Sequence, residues 1–145
     1  MIVLNAQLFY PMFALFLLTL TALIRMFLAR VKAVKSGQLK INDFKVYTTP
    51  QPDEVIKMSR HFTNLFEVPV LFYVVCLLGM VLGMTSLPFM ILAWAYVFAR
   101  VVHSIVHTGS NNVILRMRVY GLGWVFLTLM WLIMFFRVFQ GSLQL

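Results

Sequence analysis

Along the chain, the apolar positions gather into four long runs separated by short polar segments. The first covers Leu8 to Leu28 with Arg25 as its only charge, and the second emerges from a polar stretch and covers Val68 to Met84. The third covers Leu87 to about Val106, and the fourth Val113 to Phe139. A helix rises about 1.5 Å per residue and a bilayer core is about 30 Å thick, so about 20 apolar residues cross it. The pattern predicts an all-α integral membrane protein, a four-helix bundle in one domain over 1–145, with helices near 6–34, 54–84, 87–107 and 112–139. The first run is too long for a signal-peptide core, and no cation precedes it, so it reads as a retained span.

The connections are distinct in character. Met84-Thr85-Ser86-Leu87-Pro88 and Thr108-Gly109-Ser110-Asn111-Asn112 are tight turns. The segment from Lys35 to Asp53 is a longer polar loop, and Thr49-Pro50-Gln51-Pro52-Asp53 breaks the chain ahead of the second span.

Composition sharpens this picture. Hydrophobic residues make up 62% of the 145 positions and charged residues 11%, against about 45–50% and 25% in soluble domains. The mean hydropathy is +0.92. A water-soluble globule, a disordered chain and a disulfide scaffold are excluded, the last because Cys76 is the single cysteine. The net charge of +8 in a soluble protein would point to nucleic acid. Here the cations flank apolar runs, so they set membrane orientation and imply no nucleic-acid partner.

No Lys or Arg occurs before Arg25, whereas the first connection and its flanks carry Arg30, Lys32, Lys35, Lys40, Lys45, Lys57 and Arg60. The third connection is flanked by Arg100, Arg116 and Arg118. The positive-inside rule places both connections in the cytoplasm and both termini on the other side. Arg137 is the one cation against the rule, and Arg25, about a turn inside the basic end, is expected to snorkel.

Several polar residues lie where lipid alone would not favour them. Arg60, Asn64 and Glu67 at i, i+4 and i+7 share a helical face at the start of the second span. A carboxylate at that depth costs a few kcal/mol unless paired or wet, so Glu67 faces a cavity or a cation. Pro69 removes a backbone donor there. Arg100, His103 and His107 share a face at the end of the third span, and Arg116 and Tyr120 one at the start of the fourth. Arg118 points the other way, toward lipid phosphate.

One such residue needs only an ion pair or a headgroup, but three sets on three helices can converge on one cytoplasmic pocket. Lys40, Arg60, Arg100 and Arg116 against Glu67 make it electropositive, suited to a small anion that also carries an ammonium or amide. His103 and His107 lack the surrounding Cys, His or Asp ligands of a metal centre, and no metal is expected. Gly79-x3-Gly83 is a small-xxx-small pattern that can bring helices close.

With four short spans, Arg60-x3-Asn64-x2-Glu67, and Arg100 followed by Arg116, the chain resembles the membrane-associated proteins in eicosanoid and glutathione metabolism, the MAPEG family. Asn64 to Tyr73 reads like bacterial members of that family, which, with a first span that reads as retained, implies a bacterial inner membrane. The resemblance implies a homotrimer that binds glutathione between subunits at the cytoplasmic side. It makes Arg116 the catalytic, thiolate-stabilising residue. It gives Asn64 and Glu67 the glutathione backbone and ammonium, and Arg60 and Arg100 the carboxylate end. His103, His107, Tyr120 and Lys40 match further ligand-contacting positions. The chain departs from the prostaglandin-synthase branch, with Thr63 where that branch has an arginine and Met117 where it has a serine.

The implied chemistry is physically simple. A free thiol has a pKa of about 8.5, and an adjacent guanidinium lowers it. The thiolate attacks a hydrophobic electrophile or lipid hydroperoxide arriving from the bilayer, and the protein supplies proximity and fixed charge. The alternative is a non-catalytic membrane protein whose basic pocket holds an anionic lipid or a partner protein.

Overall fold

The computed structural model describes residues 6–45, 50–84 and 86–142. Among the predicted turn residues, Thr49 and Thr85 lie outside the described residues. The described residues form helices and no strand: α1 (Phe9–Lys35) after a 3-10 turn at Ala6–Leu8, α2 (Asp53–Asn64), α3 (Val68–Val81), α4 (Leu87–Thr108) and α5 (Val113–Ser142). With α2 and α3 taken as one span, four helical segments are long and apolar enough to cross a membrane: Ala6–Lys35, Asp53–Val81, Leu87–Thr108 and Val113–Ser142.

The predicted single helix over 54–84 is interrupted at residues 65–67. Pro69 has no N–H, so Leu65 loses the donor that would continue the helix. The chain tightens instead: the N–H groups of Leu65 and Phe66 donate to the carbonyls of Phe62 and Thr63, three residues back, at 3.1 and 2.9 Å. Pro69 then occupies the first turn of α3, where a missing donor costs nothing.

Gly79 and Gly83 serve different purposes, which corrects the reading of them as one packing pattern. A Cβ on Gly79 would fall 2.9 Å from Leu8 Cδ1 and 3.0 Å from Phe89 Cε1, so Gly79 does allow close approach. Gly83 has φ +63° and nothing within 4 Å of such a Cβ. It ends α3 in a left-handed cap: the Met84 N–H donates to the Gly79 carbonyl at 2.8 Å, and the Gly83 N–H to Met80 at 3.4 Å.

The main core joins all four spans through Leu8, Leu15, Phe72, Val75, Phe89, Tyr96, Leu127 and Met130. Phe72 and Tyr96 stack with ring centroids 4.5 Å apart at its centre. Cys76 is fully buried among these residues. Phe9, Phe13, Phe16, Leu20 and Phe27 of α1, and Phe135, Phe136 and Phe139 of α5, are exposed, as a lipid-facing surface requires. α4 packs along α5 and α1 along α2. The latter pair is clipped by an exposed Lys32–Glu54 ion pair at 3.2 Å, which contributes at most about 1 kcal/mol.

Candidate functional site

The polar ends of α2, α4 and α5 line an open cavity of about 610 Å³. Arg60, Asn64 and Glu67 come from α2 and the break after it, His103 and His107 from α4, and Arg116 and Tyr120 from α5. Seven of the candidate catalytic and binding residues therefore meet at one place, joined by Ser59, Thr63, Val113 and Met117. Glu67 reaches this cavity although α2 and α3 are not one continuous helix, because the turn at 65–67 leaves it beside Asn64.

Arg100 does not line the cavity but stands behind it. It is 2% exposed. Its Nη2 donates to Asn64 Oδ1 at 2.6 Å and to the Asn64 carbonyl at 3.2 Å. That carbonyl lies at the end of α2, where helical partners run out. Asn64 Nδ2 in turn donates to Glu67 Oε2 at 3.1 Å. The amide thus has a defined orientation, with its oxygen on the guanidinium and its nitrogen on the carboxylate. The Arg100 guanidinium also lies 5.7 Å from the centre of the Tyr120 ring, a cation–π distance.

Arg116 is held by the turn before it. Asn111 adopts φ 51°, a left-handed conformation that asparagine tolerates. Its N–H donates to the Val106 carbonyl at 2.8 Å, folding the chain back at the end of α4. Its Oδ1 then accepts from Arg116 Nη1 at 2.7 Å. Asn112 Oδ1 accepts from the Leu115 N–H at 3.1 Å and caps α5. The guanidinium is therefore fixed at the cavity wall.

The histidines form a stack. His103 lies 5.7 Å from His107 and 5.7 Å from Tyr120, ring centre to ring centre. His107 lies 5.2 Å from His61, whose Nε2 shares a 2.8 Å hydrogen bond with Ser104 Oγ. Sequence reasoning missed His61 and Ser104. His61 follows Arg60 directly and so points off the predicted face, and only the crossing of α2 and α4 pairs it with Ser104.

A second polar cavity, about 650 Å³, shares Arg60, His107 and Arg116 with the first. These three side chains form the partition between the two. Arg25 lines the second cavity, and its Nη1 donates to Thr108 Oγ1 at 2.8 Å. This bond ties it to the end of α4, on the basic side of the bundle toward which it was expected to reach. Lys40 lines neither cavity. It is exposed, and its backbone N–H donates to Asp43 Oδ2 at 2.8 Å. Among the described residues, no three His, Cys, Asp or Glu side chains gather as a metal ion would need.

The break at 65–67 also faces a third space. Leu65 and Phe66 line an apolar cleft of about 430 Å³ together with Phe16, Leu20 and Leu23 of α1 and Val70 and Tyr73 of α3. Asn64 and Glu67 on the polar cavity thus flank Leu65 and Phe66 on the apolar cleft. Chemically, the polar cavity offers two guanidinium groups to anionic oxygens and one carboxylate to a cation.

No curated protein and no solved structure matches the chain. The family model for the MAPEG family does match, over residues 8–136, a stretch that contains every residue of the polar cavity. With four helical segments able to span a membrane and this match over nearly its whole length, the chain belongs to the MAPEG family of membrane proteins.

Proposed function

We propose that the protein is a membrane-embedded glutathione-dependent transferase or peroxidase that acts on hydrophobic electrophiles or lipid hydroperoxides. The observation that carries this reading is the convergence of Arg60, Asn64, Glu67, His103, His107, Arg116 and Tyr120 on one cavity. Glutathione is a net anion with two carboxylates and one ammonium. Arg60 suits a carboxylate, and Glu67 suits the ammonium. Arg116, held by Asn111, stabilises the thiolate. With an aryl halide, the sulfur forms a bond to the ring carbon, halide leaves, and the thiol proton goes to water. The reading includes a homotrimer and a cavity facing the cytoplasm of a bacterial inner membrane.

Isothermal titration of the purified protein with glutathione tests it, with Arg116→Ala as control and 1-chloro-2,4-dinitrobenzene as acceptor. Binding and turnover that fall in the variant are expected. No heat at millimolar glutathione would overturn the reading.

A second reading rests on Thr63 and Met117. Both line the cavity, in place of the arginine and serine of the prostaglandin-synthase branch that the sequence resembles. In that reading the cavity holds an anionic lipid or a partner protein and runs no reaction. Thermal stabilisation by anionic phospholipid but not by glutathione would select it.

A further inference from the structure

Arg137 is the cation that the charge pattern leaves at the end of the bundle away from the polar cavity. Two clefts, of about 430 and 390 Å³, meet at Arg137 and Gln140. Met84, Ser86, Ile133 and Phe136 wall the larger one, and Leu82 and Val138 belong to the smaller. Arg137 and Gln140 are three residues apart on α5 and so share a face. Neither side chain has a hydrogen bond or ion pair with another described residue.

The setting narrows what can meet this guanidinium. Arg137 is five residues from the end of α5 at Ser142, about 7–8 Å along the axis. The surrounding surface is apolar, with Val81, Leu82, Leu87, Phe136 and Phe139 all exposed. A guanidinium with no partner among the described residues is costly among acyl chains and favourable where they meet phosphates. A ligand that fits carries an anionic oxygen cluster for Arg137 and Gln140 and a hydrocarbon body for the apolar walls.

We propose that Arg137 and Gln140 form a binding site for the phosphate of an anionic phospholipid, whose acyl chains lie along Ile133 and Phe136. Arg137 offers its planar fork of N–H donors to two phosphate oxygens, and the Gln140 amide offers one more. The site lies at the opposite end of α5 from Arg116 and does not depend on what the polar cavity binds.

Native mass spectrometry of the detergent-purified full chain tests this with phosphatidylglycerol and phosphatidylcholine added in turn. The wild type is expected to retain phosphatidylglycerol in preference to phosphatidylcholine. In Arg137→Gln that retention falls about fivefold, the effect of about one basic residue at a membrane surface. Gln140→Glu, an exposed change that tests the site even if Arg137→Gln folds poorly, lowers it too by placing a carboxylate beside the phosphate. Equal retention of phosphatidylglycerol by the wild type and both variants overturns the proposal. Displacement of the lipid by millimolar inorganic phosphate also overturns it, because the site would then take a soluble anion.

Discussion

Arg100 Nη2 lies 2.6 Å from Asn64 Oδ1, and through that amide a buried cation on α4 holds the chain break between α2 and α3. The bond gives Nη2 of this buried guanidinium a partner, while its Nε has none among the described residues, and it orients the Asn64 nitrogen toward Glu67. Asn64→Leu removes the acceptor and is expected to destabilise the protein by about 2 kcal/mol. Asn64→Asp keeps an oxygen for Arg100 and loses less. Melting in detergent ranks the variants, and an unchanged transition in Asn64→Leu would show that the bond does not hold the break.

Arg116 is the residue on which thiolate chemistry depends in the proposed function. A guanidinium lowers the pKa of a bound thiol, so removing it returns that pKa toward about 8.5. Arg116→Ala is expected to cut turnover at pH 7 about a hundredfold, with activity recovering as pH rises. The pH–rate profile checks this, and a profile with unchanged shape assigns the thiolate to another group.

The His61–Ser104 hydrogen bond joins α2 to α4 beneath the histidine stack. Both residues are buried, so Ser104→Ala leaves the His61 ring nitrogen without its partner. The expected loss is about 1–2 kcal/mol. Ser104→Thr restores a hydroxyl and should recover part of it. Thermal unfolding of the two variants side by side is the measurement.

Gly79 and Gly83 predict two different failures. Gly79→Ala pushes a methyl group against Leu8 and the buried Phe89 ring, an overpacking cost of about 1–3 kcal/mol. Leu8→Ala in the same chain makes room and should offset part of that cost, which a double-mutant cycle would reveal. Gly83→Ala meets no atom and is strained only by its left-handed φ, about 1 kcal/mol. No second-site truncation should rescue it.

The cavity residues were legible to the extent that one helix carries them. His103 and His107, four apart on α4, show their shared face in the sequence and meet the cavity together. Arg100 shares that face by spacing, yet lies a turn deeper, where Asn64 and Tyr120 cover it. Arg25 read as a lone cation in an apolar run, because its partner Thr108 is 83 positions away. Lys40 was grouped with the pocket by charge and resemblance, and its place in the loop after α1 sets it outside both polar cavities.

The sequence by itself determined what hydropathy and local chemistry control. Four spans follow from run length and the cost of exposing backbone to lipid. The missing donor of Pro69 is also plain in the sequence, but that it breaks the helix at 65–67, and that Gly83 ends α3 in a left-handed cap, came only with the structure. Tertiary structure alone decided how those pieces meet. It placed Arg100 behind Asn64, paired His61 with Ser104, tied Arg25 to Thr108, and set the polar cavity against the apolar cleft across one turn of chain. Periodicity gives the direction of a side chain around its own axis. Which partner it reaches depends on how the helices cross, and that is fixed by the packing of the whole core.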